Sequence, residues 1–291
     1  MSHSGPGFLE LAVRTAVRAG ERTLAAFGRL DPASIGFKGI RDLVTRADLE
    51  SERLITSTLR EAFPEHLVLA EEELSGGGGQ VDGMGAGMGG MEELAAAAAR
   101  SRYTRYTWII DPLDGTTNFA HSHPFYAVSV ALYERGEPLL GVVFAPVLGE
   151  LFVAERGSGC RLNDRRIEVC RTDALDQAIF ATGFPYRRNE LSALENNVEH
   201  FNRFIHDVRG FRRGGSAALD LAYVAAGRFG FFFEAQLSPW DVAAGALLVR
   251  EAGGRVSDYE GGENWLFGRR ILASNGRLHE LARARLKERP G

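Results

Sequence analysis

Two hydrophobic periods alternate along this chain, and that alternation most limits how it can fold. Apolar residues recur at helical spacing over residues 7–28, 46–62, 189–207, 216–226, 239–252 and 276–288. Short apolar runs typical of strands cover residues 66–70, 106–110, 127–133, 139–144, 151–154, 166–170, 178–182, 229–234, 255–258 and 271–274. Because helices and strands interleave throughout, we predict a layered α/β fold and exclude a helical bundle or an all-β sandwich.

The strands differ in arrangement before and after residue 150. Glycine and proline turns separate the earlier strands, which is typical of a meander, whereas the later strands alternate with helices. We therefore predict an N-terminal α+β half over residues 1–150 and a C-terminal α/β half over residues 151–291. The length of 291 residues is consistent with the two halves packing together as one compact unit.

Residues 75–91 are of low complexity and belong to a glycine-rich segment over residues 75–100, in which Ala95–Ala99 could form a short helix. Nine of the 15 residues from Gly76 to Gly90 are glycine, a composition that cannot pack a core, so we expect a flexible loop. Because it joins two segments that carry carboxylates, it is either a mobile flap over a site or inert sequence drift.

Composition excludes a membrane-spanning protein and bears on several other properties, although nucleic acid remains a possible partner that is not favoured. No apolar run approaches the ~18 residues of a membrane span, and a net charge of −4 gives no overall sign of nucleic-acid binding. Charged residues interrupt the N-terminus, so it does not resemble a signal peptide. Cys160 and Cys170 match no zinc-ligand spacing and are interpreted as two buried free thiols. These features predict a cytoplasmic protein.

The sequence Asp-Pro-Leu-Asp-Gly-Thr-Thr-Asn, residues 111–118, is the strongest candidate site. It follows an apolar strand, and a turn after Pro112 would bring Asp111 and Asp114 to one side. Gly115 permits close approach of a ligand, and Thr116 adds a hydroxyl group and a free N–H. Since these residue types also form turns, a capped turn without function remains an alternative.

Three more carboxylates occupy positions where local structure would hold them rigidly. Asp241 and Asp48 each stand three residues after a Ser or Thr in a capping-box pattern, which is a sufficient structural explanation for either one. Glu71 directly follows a predicted strand, where α/β proteins commonly place sites, although it also begins a solvated acidic run.

The coincidence of these carboxylates predicts an all-oxygen site for a hard cation, and Mg²⁺ is the ion that such a ligand set favours. The sequence contains no Gly-x-Ser-x-Gly elbow and no P-loop. His121 and His123 lack the frame of a zinc site.

Five segments together resemble the inositol monophosphatases, most closely the bacterial branch. They are DLVTRAD (42–48), AEEE (70–73), WIIDPLDGTTNF (108–119), FRRGGSAALDLAYVAAGR (211–228) and PWDVAAGALLVREAGG (239–254). The resemblance covers nearly the whole chain. It implies an αβαβα sandwich like that of fructose-1,6-bisphosphatase, a homodimer, two or three Mg²⁺ ions, phosphomonoester hydrolysis and inhibition by Li⁺.

The resemblance also assigns roles to individual positions. Those that match metal ligands are Glu71, Asp111, the Leu113 carbonyl, Asp114 and Asp241. Those that match the groups activating water are Glu71, Thr116 and Asp48. Those that match the substrate site are Gly115, Thr116, Gly215, Ser216, Ala217, Glu234 and Asp241. Lys38 matches a basic residue near the entrance, and is otherwise a surface charge. Glu73 departs from the family, which usually has a small hydroxyl residue there, and is expected to add negative charge beside the site.

The expected reaction is hydrolysis of a small sugar or polyol phosphate, with inositol 1-phosphate as the favoured substrate. The open alternatives are fructose-1,6-bisphosphatase, histidinol-phosphate phosphatase and 3′-phosphoadenosine-5′-phosphate phosphatase. Asn118 favours the inositol type over the nucleotide phosphatases. A regulatory role with transcription or ribosome-assembly machinery is a different class of function, for which Arg209, Arg212 and Arg213 offer a partner surface.

Overall fold

The computed structural model describes residues 7–30, 35–39, 42–75, 89–184 and 197–288. The helices in this part of the chain are α1 (Phe8–Ala26), α2 (Arg46–Ala62), α3 (Glu71–Leu74), α4 (Gly89–Tyr103), α5 (Thr116–Ala120), α6 (Asn197–Asn202), α7 (Ala217–Ala225), α8 (Pro239–Glu251) and α9 (His279–Leu286). None of these helices is both long and apolar enough to cross a membrane.

The strands form three sheets within the described residues. They are β1 (Ile35–Gly39), β2 (Asp42–Thr45), β3 (Leu67–Ala70), β4 (Tyr106–Asp114), β5 (Ala127–Glu134), β6 (Glu137–Ala145), β7 (Glu150–Glu155), β8 (Gly159–Leu162), β9 (Arg165–Ile167), β10 (Ile179–Thr182), β11 (Gly210–Arg212), β12 (Phe231–Ala235), β13 (Arg255–Ser257) and β14 (Arg270–Ser274). The strand orders are β1-β2, β3-β4-β5-β6-β7-β8-β9 and β11-β10-β12-β14-β13.

The larger sheet is a meander with one parallel edge. β3 pairs with β4 in parallel, and each later neighbour pairs antiparallel. In the second sheet β10 is parallel to both β11 and β12, while β14 runs antiparallel to β12 and β13. This mixture follows from the sequence order, because short turns join the meander whereas helices cross between the parallel strands.

Alternate side chains of each strand enter different hydrophobic layers. Trp108 and Ile110 pack under α1 and α2, whereas Ile109 between them packs on the opposite face with α7 and α8. Phe232 enters that same middle layer, while Phe231 and Phe233 pack on the far face with residues of α9. The order is helix, sheet, helix, sheet, helix, which confirms the predicted αβαβα sandwich.

Several predicted elements have different bounds in the structure. The connection before α2 contains the hairpin β1–β2, and the short strands β8 and β11 were not predicted. Of the predicted helix 189–207, residues 197–202 are helical and residues 189–196 lie outside the described part. Of the expected flexible loop 75–100, residues 76–88 also lie outside it, whereas residues 89–100 belong to the helix α4, contrary to the prediction. Residues 150–167 continue the larger sheet, and the division at residue 150 stays a prediction.

Gly141 sets the distance between β6 and α8, the helix that begins beside the candidate site. A Cβ atom added to Gly141 would lie 2.8 Å from the Ala244 carbonyl oxygen and 3.1 Å from the Ala244 Cα. Because both neighbours are backbone atoms, we expect Gly141→Ala to lower the free energy of unfolding by about 1–3 kcal/mol, measured by urea denaturation.

Gly210→Ala is the matched control for that prediction. A Cβ at Gly210 would lie 3.7 Å from the end of the Arg212 side chain, which is ordinary contact. Equal stability of both variants would contradict a close approach of α8 to the sheet.

Candidate metal centre

A bulge at the end of β4 brings two carboxylates together. Asp111 pairs with Ser129 of β5, and Asp114 pairs with Ala127. An advance of three residues along β4 therefore matches an advance of only two residues along β5, which is a β-bulge. In a regular strand, the side chains of residues three apart point to opposite faces of the sheet. The extra residue in the bulge places the side chains of Asp111 and Asp114 on the same face. Pro112 lies within the bulge and has no N–H to donate to the ladder. The bulge thus supplies the shared side that the sequence predicted from a turn.

Asp241 reaches the same place from the first turn of α8. Its Oδ2 accepts a hydrogen bond from the Ser238 N–H at 2.6 Å, as the capping-box pattern predicts. Carboxylate oxygens of Asp111, Asp114 and Asp241 all lie within 4.8 Å of one another. Asp111 and Asp114 are buried, and Asp241 is half-buried.

Burial and mutual repulsion disfavour negative charge on these three groups. Burial raises the pKa of Asp111 well above its ordinary value, and the charges of Glu71, Asp114 and Asp241 raise it further. The pKa of Asp241 is likewise raised well above its ordinary value by burial, then by Asp114 and Glu71. A bound divalent cation would offset this repulsion, and three converging carboxylate oxygens fit a hard cation.

Two hydrogen bonds stabilise the charged form of Asp114. Its Oδ2 accepts from the Ser216 hydroxyl group and from the Ala218 N–H, each at 2.6 Å. Burial raises the pKa of Asp114 to about 6, although these bonds act in the opposite direction. Asp114 therefore links the carboxylate cluster to the start of α7.

Glu71 stands beside the cluster at the end of β3. Since Ala70 pairs with Ile110 in the parallel ladder, the next residues along the two strands, Glu71 and Asp111, follow side by side. The Glu71 charge raises the pKa of Asp111, Asp114 and Asp241, so it acts on the whole cluster.

Asp48 and Thr116 form a hydrogen-bonded pair next to the bulge. The Thr116 hydroxyl group lies 2.8 Å from Asp48 Oδ1 and 3.2 Å from the Leu113 carbonyl oxygen. Asp48 is fully buried, and its Oδ2 accepts from the Thr45 N–H at 2.9 Å and the Thr45 hydroxyl group at 2.5 Å. The predicted helix cap therefore also fixes Asp48 toward Thr116.

Glu52 supports the site from α2, although no sequence motif singles it out. Its carboxylate accepts the backbone N–H groups of Glu72 at 2.7 Å and Glu73 at 3.0 Å, which anchors the segment carrying Glu71. Burial raises the pKa of Glu52 to about 7. Its position four residues after Asp48, on the buried face of α2, was the available signal.

Glu73, expected to add negative charge beside the site, carries that charge within an ion pair. Its two carboxylate oxygens accept hydrogen bonds from the Arg60 guanidinium at 2.8 and 2.6 Å. Sequence spacing could not show this ion pair, because Arg60 lies at the end of α2 and Glu73 in α3.

The backbone around Gly115 is closely packed. Gly115 has φ of 104°, and an added Cβ would lie 3.1 Å from the Phe125 carbonyl oxygen and 3.3 Å from the Gly215 carbonyl oxygen. Asn118, the last residue of the motif 111–118, donates through Nδ2 to the carbonyls of Phe125 at 2.7 Å and Gly214 at 2.8 Å. Asn118 thus ties the Gly214–Ser216 segment to the motif 111–118.

The remaining predicted substrate residues lie at the start of α7 and on β12. Ser216 is the N-cap of α7, Ala217 is its first residue, and Glu234 is half-buried on β12. Burial raises the pKa of Glu234 to about 8, against the opposing effect of Arg213. The backbone of Lys38 lies in β1, and its side chain is outside the described part of the structure.

The predicted thiols differ in exposure. Both cysteines are free, but only Cys160 is buried, while Cys170 is half-buried. Burial raises the pKa of the Cys160 thiol to about 12, so that group stays protonated.

Comparison with known proteins identifies extensive similarity. The model of the inositol monophosphatase family matches residues 7–290. The chain is 43% identical over 267 residues to the Nus factor SuhB of Pseudomonas aeruginosa, covering 92% of this chain and 91% of that protein. It is 39% identical over 280 residues to the Nus factor SuhB of Escherichia coli K12, covering 96% of each.

Solved structures agree in fold. The extragenic suppressor protein suhB from Bartonella henselae superposes with a TM-score of 0.81 at 37% identity, over 96% of this chain and 98% of that chain. An inositol monophosphatase from Anabaena superposes with a TM-score of 0.78 at 36% identity, over 97% and 96% of the two chains.

Proposed function

Because the chain belongs to the inositol monophosphatase family, we propose that it is a Mg²⁺-dependent phosphatase of small polyol phosphates, with inositol 1-phosphate as its main substrate. The observation that carries this proposal is the cluster of Asp111, Asp114 and Asp241, whose oxygens lie within 4.8 Å of one another beside the pair of Asp48 and Thr116. Without a cation the members of this cluster repel one another, and a bound divalent cation would offset that repulsion.

The residues that would hold Mg²⁺ are Glu71, Asp111, Asp114, Asp241 and the carbonyl of Leu113. Bound Mg²⁺ supplies Lewis acidity, which offsets the charge of the phosphate and makes water more acidic at the site. We expect two or three ions.

Thr116 and Asp48 would carry the proton from the attacking water. The Thr116 hydroxyl proton points to Asp48 Oδ1, which leaves a lone pair on Thr116 Oγ1 to accept a hydrogen bond from water. As water attacks phosphorus, its proton passes to Thr116 Oγ1 and the Thr116 proton passes to Asp48. Glu71 would orient that water from the end of β3.

Backbone and side-chain groups around the bulge would bind the substrate. The N–H groups of Gly115 and Thr116 would donate to phosphate oxygens. Residues Gly215, Ser216, Ala217, Glu234 and Asp241 would line the alcohol, with Lys38 near the entrance. The P–O bond to the alcohol breaks as water attacks, and the alkoxide takes a proton from solvent.

A substrate panel tests the proposed activity. Phosphate release is measured with Mg²⁺ and with EDTA for inositol 1-phosphate, fructose 1,6-bisphosphate, histidinol phosphate and 3′-phosphoadenosine 5′-phosphate. We expect the highest kcat/KM for inositol 1-phosphate and no release in EDTA. Absence of Mg²⁺-dependent release from all four would contradict a phosphatase of this class.

Asp48→Asn should lower kcat by about 100-fold or more, since Asn cannot take a proton from Thr116. KM should change little, because Asp48 is not placed against the substrate. Glu50→Gln is the matched control: Glu50 is on the same helix, but pairs with Arg22 and Arg46 near the surface. Steady-state kinetics that show similar kcat for both variants would exclude the proposed proton path.

A regulatory role is the second candidate, supported by relatives whose name is Nus factor. Affinity capture with the Asp111→Asn variant separates the two roles. Retained capture of transcription proteins by this variant would support a role independent of hydrolysis.

We also propose a homodimer, a cytoplasmic location and inhibition by Li⁺, on the basis of the family resemblance. Light scattering, cell fractionation and a Li⁺ titration of phosphate release test these three properties.

A further inference from the structure

Residues 100–106 present an unusual surface at the end of α4. The sequence Arg-Ser-Arg-Tyr-Thr-Arg-Tyr holds three arginines and two tyrosines in seven positions. The Tyr103 side chain is 92% exposed, so it contributes almost nothing to the packing of the fold. Arg100, Arg102 and Arg105 are exposed beside it.

These arginines are weakly neutralised. Among the described side chains, no carboxylate lies within 4.0 Å of Arg100 or Arg102. Arg105 has Glu134 at 3.8 Å, and its guanidinium lies over the Tyr106 ring at 4.9 Å from the centroid. The surface therefore keeps positive charge next to aromatic rings.

Neighbouring elements extend this positive charge. The exposed Arg135 lies in the β5–β6 turn, where its N–H donates to the Arg105 carbonyl at 2.8 Å. A cavity of about 510 Å³ opens next to it, and its charged lining residues are Arg102, Arg250, Arg255, Glu137 and Glu263. Among the described side chains, Glu263 pairs with Arg250 and Glu280 pairs with Arg255, while neither Arg102 nor Glu137 has an ion-pair partner.

This surface is separate from the candidate metal centre. Asp241 begins α8 beside that centre, whereas Arg250 lies nine residues later at the other end of the helix. Nine residues of α-helix span about 14 Å. A ligand at the α4 end would not displace a substrate beside Asp241.

We propose that the Arg/Tyr surface, formed by Arg100, Arg102, Tyr103, Arg105 and Arg135, binds single-stranded nucleic acid. Arginines beside an exposed aromatic ring match the two needs of such a strand, phosphate neutralisation and base stacking. In a duplex the base faces are stacked on one another and cannot stack on Tyr103. An acidic peptide would pair with the arginines but has no base to stack on the Tyr103 ring. The overall net charge of −4 does not oppose this, because the positive charge is local.

The test measures fluorescence polarisation of a fluorescein-labelled 12-nucleotide RNA of mixed sequence, its DNA equivalent and the matching duplex. We expect binding of both single strands and weaker binding of the duplex. Tyr103→Ala should weaken single-strand binding by between about 5- and 150-fold, whereas Tyr103→Phe should preserve it.

The charge contribution is tested by the triple variant Arg100→Ala, Arg102→Ala, Arg105→Ala. Loss of three phosphate contacts should reduce the slope of log K against log salt by about 2. The matched control replaces Arg14, Arg18 and Arg53 by alanine, which removes the same charge from exposed positions of α1 and α2. That control should bind like the unmodified chain.

Three results would overturn the proposal. They are no saturable binding of the single-stranded RNA or DNA, equal weakening of binding in the variant at Arg14, Arg18 and Arg53, or unchanged binding by Tyr103→Ala. Polyglutamate that competes as well as RNA, with Tyr103→Ala unaffected, would instead assign the surface to acidic proteins. Because Tyr103 is exposed, its variants should fold normally, which thermal unfolding checks. Phosphate release should be unchanged in every variant, so the outcome is independent of the proposed enzyme function.

Discussion

Asp111→Asn should lower kcat for inositol 1-phosphate by at least about 1,000-fold. The substitution keeps the shape of the side chain, and Oδ1 can still accept the Leu113 N–H, which lies at 3.0 Å. It removes one negative charge from the centre of the carboxylate cluster, where the proposed Mg²⁺ would bind. The defect should persist at high Mg²⁺ concentration, and is measured by phosphate release.

The same substitution should stabilise the protein without metal. Asp111 is 1% exposed and surrounded by other carboxylates, so a neutral amide relieves repulsion. We therefore expect a higher Tm for Asp111→Asn than for the unmodified chain in EDTA. Asp258→Asn is the control, since Asp258 lies outside the cluster. Activity of Asp111→Asn within about tenfold of the unmodified chain would be incompatible with the proposed site.

The stabilising effect of Mg²⁺ should grow from pH 6 to pH 8.5. Burial raises the pKa of Asp114 to about 6 and that of Glu234 to about 8, and raises those of Asp111 and Asp241 well above their ordinary values. A carboxyl with a raised pKa in the folded state destabilises the fold as pH rises from its ordinary value to the raised one. Without metal, these groups therefore favour folding at low pH.

Mg²⁺ reverses that trend because it competes with protons for the same oxygens. The measurement is the difference in Tm between Mg²⁺ and EDTA at each pH. His200 and His279 make the fold less stable as pH falls, because burial lowers their pKa values to about 4. Their contribution to Tm is the same with Mg²⁺ and with EDTA, so it cancels in this difference. Neutral burial of these histidines supports folding above about pH 6.5 and is lost as pH falls toward 4.

Asp241→Asn should flatten the pH dependence of the Mg²⁺ effect, since it removes one proposed ligand. A Mg²⁺-induced rise in Tm that is constant or smaller at pH 8.5 would contradict metal binding at these carboxyl groups.

The layered fold was predictable because its signals are local. Trp108 to Ile110 form a buried strand, and the pattern Ser238-x-x-Asp241 starts a helix, whatever the rest of the chain does. The hairpin β1–β2 was missed because its short strands lie in a segment that reads as a connection between helices.

The carboxylates of the candidate site were predictable because each stands at the end of an element. Their supports were harder to find, since they depend on contacts between distant segments. Glu52 holds the segment after β3 from α2, and Asn118 bridges to Gly214 across 96 positions. The ion pair between Glu73 and Arg60 could not be predicted for the same reason, because it forms only where α2 and α3 pack together in the fold.

Anomalous scattering from Mn²⁺ tests the central claim most directly, because Mn²⁺ shares the oxygen preference of Mg²⁺ and its position can be seen. Crystals soaked in Mn²⁺ should give an anomalous peak between the carboxylates of Asp111, Asp114 and Asp241, and that peak should weaken when Mg²⁺ is added in excess. A well-ordered site with no peak among these three side chains, or with Mn²⁺ bound only elsewhere, would contradict the proposed metal centre.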